Sequence, residues 1–319
     1  MQVKKIAVLI LNYNNYEDTI NCIDSVEKYN TAPIKYIVVD NGSKRENVVE
    51  TLSAYLDDKF GDDYLQIDES EEVKKLPYVT FLVSKVNDGY ACGNNKGLRL
   101  AYADEEIDKV MVLNNDVLFV EDIIPSLSDA IDSDVHIGIV SPLLYKKDMT
   151  DLDYNCARRC EGVWRTIERF LFYYINPFGI KNQWDIKQKY LLDHPELRYT
   201  DRFEIALPSG SCMLFSKRLF EQIGSFDPHT FLYNEENILY QKLHAIGKTN
   251  WIFPKLKCVH LGASSTKHEV GYFMIKSSAD STCYYIENYT KASKLTKVMF
   301  RLFIYHVFLP LVKIQKKIK

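Results

Sequence analysis

Four polar clusters recur in the first part of this chain, each directly after a run of apolar residues. They are Asn12-Tyr13-Asn14, Asp40-Asn41-Gly42, Asn87-Asp88-Gly89 and Asn114-Asn115-Asp116. Carboxylate and amide oxygens suit hard divalent cations, and amides hydrogen-bond hydroxyl-rich ligands. Buried polar groups are costly without partners, so an apolar strand that ends in "NND" either makes an ordinary turn or delivers a carboxylate to a site. Asn, Asp and Gly are also turn formers; four clusters in register at one sheet edge favour a site. Further on, "NEEN" sets Glu235 beside Glu236. A carboxylate there could act as a general base, or the pair could decorate a helix N-terminus, where negative charge is favourable. His260 ends another apolar run and could ligate a metal or make a structural hydrogen bond.

The elements that must position these residues alternate. "KIAVLILNY", "IKYIVVDNGS", "YVTFLVSKVN" and "KVMVLNNDV" read as strands, with "NYEDTINCIDSVEKY", "ENVVETLSAYL" and "GNNKGLRLAYA" as helical stretches between them. This alternation argues for an α/β fold, a parallel sheet with helices on both faces. In such sheets ligands bind beyond the carboxyl ends of the strands, where the four clusters lie. Residues 146–206 are rich in Tyr, Phe, Trp and Arg without clear alternation, and are either a substrate-specific wall or a packing excursion. "ALPSGSCMLFSKRLFEQIGSFDP" gives a strand, a short helix and a turn, and "NEENILYQKLHAIG" gives a helix ending at the natural C-cap Gly247. The expected organisation is one domain over 1–270, with halves 1–140 and 141–270, and a helical segment over 271–319.

Of 319 residues 46% are hydrophobic and 26% charged, which is enough for a full core. The net charge of -3 implies no attraction to nucleic acid. The charge is uneven: after Glu287 there is no Asp or Glu, while Lys291, Lys294, Lys297, Arg301, Lys313, Lys316, Lys317 and Lys319 are basic. An acidic body with a basic tail suggests an anionic membrane surface as partner. In "VMFRLFIYHVFLPLVK", Phe300, Phe303, Ile304, Val307, Phe308, Leu311 and Val312 form one apolar helical face, with Pro310 as a kink or end. The segment could lie in a membrane interface or dock on the protein. No apolar run is expected to span a bilayer, and the N-terminus lacks the pattern of a signal peptide. The seven scattered cysteines read as reduced thiols of a cytoplasmic protein. Nothing fixes the oligomeric state.

Taken in order, "LILNYNN", "VVDNGS", "GYACGNNKGL", "VLNNDV", "PSGSCMLFSKRLFEQIGSFDP", "FLYNEENILYQKLHAIG" and "VHLGASST" resemble the family 2 glycosyltransferases of GT-A fold, and most nearly their bacterial rhamnosyltransferase-like branch. The resemblance implies a Rossmann-like nucleotide-binding sheet with helices on both faces, followed here by the basic amphipathic helix. It implies a nucleoside-diphosphate sugar as donor, carrying dTDP or UDP, and a glycan or polyprenyl-diphosphate-linked acceptor, with the protein peripheral on the inner face of the plasma membrane. "NND" takes the place of the family's DXD motif, so Asp116 would ligate Mn²⁺ or Mg²⁺, with His260 as a second ligand. Asn114 stands where the first Asp is usual, leaving fewer charged ligands. Asp40 would accept the N3–H of the nucleobase, and Asn12 and Asn14 would line the same pocket. Asn87, Asn94 and Asn95 would touch ribose or the donor sugar, the Asn114 amide could still hydrogen-bond sugar or ribose hydroxyls, and Asn115 belongs to the same donor-binding set. Glu236 would be the base of an inverting transfer, standing where Asp is usual, with Glu235 beside it. The rival readings are a nucleotide- or sugar-binding module without catalysis and a nucleotidyltransferase.

Overall fold

The structure is a computed structural model that describes residues 4–175, 189–262 and 271–317. The latter part of "VHLGASST" and the expected boundary at 270/271 involve residues 263–270, outside the described residues, as are Lys319 and part of the 146–206 region.

Five parallel strands build the first half: β1 Lys5–Asn12, β2 Ile34–Asn41, β3 Tyr64–Asp68, β4 Val79–Ser84 and β5 Ile107–Asn114, in the order β3-β4-β2-β1-β5. Ile6 to Ile10 and all of β2 are buried, because apolar clusters cover the sheet on both faces. β3 has no counterpart in the sequence reading. It is a short edge strand, paired only with β4 and half exposed, so it lacks a continuous apolar run.

The second half contributes β6 Val117–Phe119, β7 Ile137–Tyr145, β8 Ala157–Arg158, β9 Phe203–Ile205, β10 Leu207–Pro208, β11 Cys212–Ser216 and β12 Thr249–His260. Here the pairing departs from the parallel arrangement that the first half keeps as expected. β11 lies between β5 and β7 and runs antiparallel to both, and β6 is antiparallel to β12. The result is one mixed sheet of ten strands, and the expected division at 140/141 falls inside β7. β8 and β10 form a separate two-stranded ribbon.

Apart from the single turn Tyr190–Asp193, the α-helices among the described residues are α1 Tyr16–Tyr29, α2 Val48–Phe60, α3 Gly89–Ala103, α4 Ile124–Ser133, α5 Val163–Arg169, α6 Lys217–Gln222, α7 Glu235–Ala245, α8 Tyr272–Tyr289, α9 Lys294–Leu302 and α10 Leu309–Lys317. The Asn15 side chain caps α1 by accepting the Asp18 amide. Between α9 and α10 the helix widens to π geometry over Phe303–Phe308, just ahead of Pro310, whose missing N–H and bulky ring disturb a regular helix. Of the apolar face read from the sequence, Phe300, Ile304, Phe308 and Val312 are buried against α8 and Phe170, whereas Val307 and Leu311 are exposed. The expectation that nothing reaches membrane-spanning length is also corrected: Lys294–Gln315, 22 residues, is long and apolar enough by length and composition. All seven cysteines are free.

Candidate active site

The parallel strands end side by side, with Asn12 opposite Asp40 and Leu11 opposite Asn114. Their polar ends bind one another first, as buried polar groups must. Asn12 Nδ2 donates to Asp40 Oδ1 at 2.7 Å, and Thr19 Oγ1 donates to Asn12 Oδ1 at 2.9 Å. Asn115 Nδ2 donates to Thr19 Oγ1 at 3.0 Å and to the Asn15 carbonyl at 3.1 Å. Asp40, 1% exposed, also accepts the Ser43 amide at 2.9 Å. Asn14 has a left-handed backbone (φ 58°), and its Oδ1 accepts the Lys44 and Arg45 amides at 2.6 and 3.0 Å. Together these bonds lock the loops after β1 and β2 to the turn after β5.

Above this network opens a cleft of about 730 Å³. Its walls include Leu11, Tyr13, Asn41, Asn87, Asn114 and Asn115, with Phe273 and Met274 from the start of α8. Asn87 Oδ1 accepts from Asn41 Nδ2 at 3.0 Å and from the Gly89 amide at 2.9 Å. Gly89 (φ 86°) begins α3 where a Cβ would lie 2.1 Å from the Phe231 carbonyl oxygen, so only glycine fits. Asn12, Asn14 and Asp40 lie outside the residues lining the cleft. Asn94 is fully buried in α3, donating to the Tyr90 carbonyl at 2.9 Å. Asn95 is spent on Phe226, donating to its carbonyl at 2.9 Å and accepting its amide at 3.2 Å.

A second cavity, about 440 Å³, adjoins the first; Tyr90, Asn114 and Leu232 line both. It contains Glu235 and Glu236, and much of its wall comes from the 146–206 region: Asn155, Arg158, Arg159, Glu161, Arg169 and Tyr174. Glu236 Oε1 accepts from Arg158 Nη2 at 2.8 Å and from the Gly210 amide at 3.1 Å. Tyr90 Oη donates to the Gly210 carbonyl at 2.7 Å, fixing that loop. Glu235 points inward and is 5% exposed, and its Oε1 finds no hydrogen-bond partner among the described residues. Burial, reinforced by the charge of Glu236, pushes its carboxyl up to about 8.

At the turn after β5, Asp116 is buried, and its Oδ1 lies 3.4 Å from His260 Nε2 at the end of β12. His260 Nδ1 is held by Asp153 Oδ2 at 2.7 Å. Burial lowers the imidazole's basicity, but Asp116 and Asp153 outweigh it and raise its pKa to about 10. Asp153, Arg158 and Tyr90 were not singled out from the sequence. No local motif marks the first two, although "ARRCEGVWR" is conspicuously basic.

A mixed α/β sheet with a cleft over the ends of its parallel half, and a carboxylate-bearing cavity beside it, has the architecture of the GT-A fold. The chain belongs to glycosyl transferase family 2, whose profile matches residues 7–224. Over 204 residues it is 28% identical to an N-acetylglucosaminyl-diphospho-decaprenol L-rhamnosyltransferase of Mycobacterium tuberculosis, covering 61% of this chain and 62% of that protein. Over 232 residues it is 26% identical to the low-salt glycan biosynthesis hexosyltransferase Agl10 of Haloferax volcanii, covering 72% of this chain and 59% of that one. The chain thus spans less than two thirds of the length of these relatives. In fold it is similar to GalNAc-T7, solved with UDP, GalNAc and Mn²⁺ (TM-score 0.56, 14% identity, 96% of this chain and 56% of that one). It is also similar to the mannosyltransferase PcManGT of Pyrobaculum calidifontis, solved with GDP-Man and Mn²⁺ (TM-score 0.54, 15% identity, 97% and 72%).

Proposed function

We infer that this glycosyltransferase moves rhamnose or another hexose from a dTDP- or UDP-linked donor to a hydroxyl of a surface-glycan or polyprenyl-diphosphate-linked acceptor, with inversion. The observation that carries this reading is the wall shared by the two cavities, where Asn114 and Tyr90 separate a nucleotide-sized cleft from the chamber of Glu236. Donor and acceptor held on either side of that wall would meet at the anomeric carbon. Glu236 takes the acceptor hydroxyl proton as the oxygen bonds to the anomeric carbon and the nucleoside diphosphate departs with the electron pair of the broken bond. The Arg158 and Gly210 contacts both fall on Oε1, so Oε2 is the oxygen assigned to the proton.

Asp116 and His260 fit a divalent cation: a carboxylate oxygen and an imidazole nitrogen converge, and Asp153 orients the ring through its other nitrogen. Among the described residues no group of three His, Cys, Asp or Glu side chains could hold a metal; a cation held by Asp116 and His260 would draw its remaining ligands from donor phosphates and water. A bound Mn²⁺ or Mg²⁺ would stabilise negative charge on the departing diphosphate. Tyr13, Asn41 and Asn87 present the nucleotide wall. Asn12, Asn14 and Asp40 support it from below, and the base-reading bond expected of Asp40 would require this buried carboxylate to become accessible from the cleft. Asn94 and Asn95 act through the position of α3.

The test is turnover by the full chain with a panel of nucleotide sugars and a lipid-linked acceptor, alongside Glu236→Gln. Loss of turnover with nucleotide binding retained supports the transfer and excludes a binding module. Release of diphosphate from a nucleoside triphosphate would point instead to nucleotidyl transfer. We place the protein on the cytoplasmic face of the membrane as a peripheral enzyme.

A further inference from the structure

The C-terminal helix carries two apolar stripes on opposite sides. One is satisfied, with Phe300, Ile304, Phe308 and Val312 packed on α8. The other is bare: Leu295 is 69%, Val298 55%, Met299 53% and Leu302 51% exposed. Their i, i+3, i+4, i+7 spacing keeps them on one face, and exposed Leu311 and Ile314 extend the apolar surface into α10. Scattered surface leucines mean little, but a contiguous apolar row marks an interaction surface.

The flanks say what covers it. Lys294, Lys297 and Arg301 lie on the same helix, and no acidic residue follows Glu287. Of the acids facing the helix, Glu287 already pairs with Arg301 at 3.2 Å and takes Lys297 on its carbonyl at 2.8 Å, and Asp280 accepts from Tyr305 at 2.7 Å. Apolar side chains bordered by an excess of positive charge match the boundary between anionic headgroups and acyl chains. We propose that this stripe lies in the plane of an anionic bilayer, so that the face touching lipid is the one turned away from the buried Phe300, Ile304, Phe308 and Val312. The helix lies flat because crossing the bilayer would pull Phe300, Ile304, Phe308 and Val312 out of their packing. The inference sharpens the peripheral placement proposed above and does not depend on the transfer chemistry.

The test is cosedimentation of the full chain with phosphatidylcholine vesicles containing increasing phosphatidylserine, with no nucleotide present. Wild type should bind more tightly as phosphatidylserine rises and weaken at least about tenfold at high salt. The double variant V298E/L302E should bind at least about tenfold more weakly with an unchanged melting temperature, since both sites are exposed. Carbonate washing should release the wild-type protein. Binding indifferent to phosphatidylserine overturns the proposal, as does resistance to carbonate, which would mean a spanning helix. A wild-type dimer that V298E/L302E dissociates would also overturn it, assigning the stripe to a second copy. Should the variant fail to fold, the lipid and salt dependence of wild type alone decides. Failure here would leave the glycosyl-transfer reading untouched.

Discussion

Glu235 offers a sharp test of how the site is built. Its carboxyl is buried, has an oxygen without a partner among the described residues, and is pushed from 4.5 up to about 8 by burial and by the charge of Glu236. The native state therefore holds a proton on Glu235 between these values that the unfolded chain releases. For a carboxyl with a raised native pKa, stability is highest below the unfolded value and falls as pH rises, levelling off above the folded one. A gap of this size corresponds to about 5 kcal/mol as an upper figure, at 1.36 kcal/mol per pH unit. Glu235→Gln keeps the shape and removes the ionisation. The comparison is denaturant unfolding of wild type and variant at pH 4.5, 6, 7.5 and 9. The variant's advantage should be near its minimum at pH 4.5, grow through neutrality and saturate near pH 9, at a few kcal/mol. Glu236→Gln in the same assay should narrow the window, because it removes the like charge. A pH-independent difference between wild type and Glu235→Gln would refute the argument and place Glu235 in contact with water.

Arg158→Ala removes the 2.8 Å partner of Glu236; kcat should fall about 10- to 100-fold while nucleotide affinity holds, and steady-state kinetics beside calorimetry would separate the two. Asp153→Asn weakens the support of His260 and should lower Mn²⁺ affinity about 10- to 100-fold, read as a loss of metal-dependent thermal stabilisation by nucleoside diphosphate. Gly89→Ala drives a methyl into the Phe231 carbonyl at positive φ; it should cost about 2 kcal/mol or more, measured by denaturant unfolding.

Legibility in the sequence followed the locality of the signal. β1, β2 and β5 announce themselves through unbroken apolar runs that end in polar clusters. β3 does not, since "YLQID" at an edge needs to bury only Ile67. The antiparallel entry of β11 between β5 and β7 is a long-range pairing that no local pattern encodes. The pair Asp116 and His260 was placed by resemblance, and the fold brings them within 3.4 Å. Asp153 and Arg158 escaped because each acquires its role through a contact made at a distance of 107 and 78 residues. The amides of "GNN" illustrate the reverse: polar identity suggested a ligand, yet Asn95 serves a backbone 131 residues away. In the tail, the apolar period was visible, but only packing tells which stripe the protein keeps for itself.

One helix, α8, faces both worlds. Ile275, Ala279, Cys283 and Ile286 meet the C-terminal helix, while Ser278 and Tyr285 line the chamber of Glu236. If the outer stripe of that helix rests on lipid, α8 becomes a spacer of fixed thickness. A helix with its side chains is about 10 Å across, and two such layers stand between the acyl boundary and the chamber. The protein would then act as a height gauge, accepting a hydroxyl held roughly 20 Å above the hydrocarbon and passing over those buried among the headgroups. Selectivity for acceptor length would thus reside in the stacking of two helices, remote from any contact with the sugar.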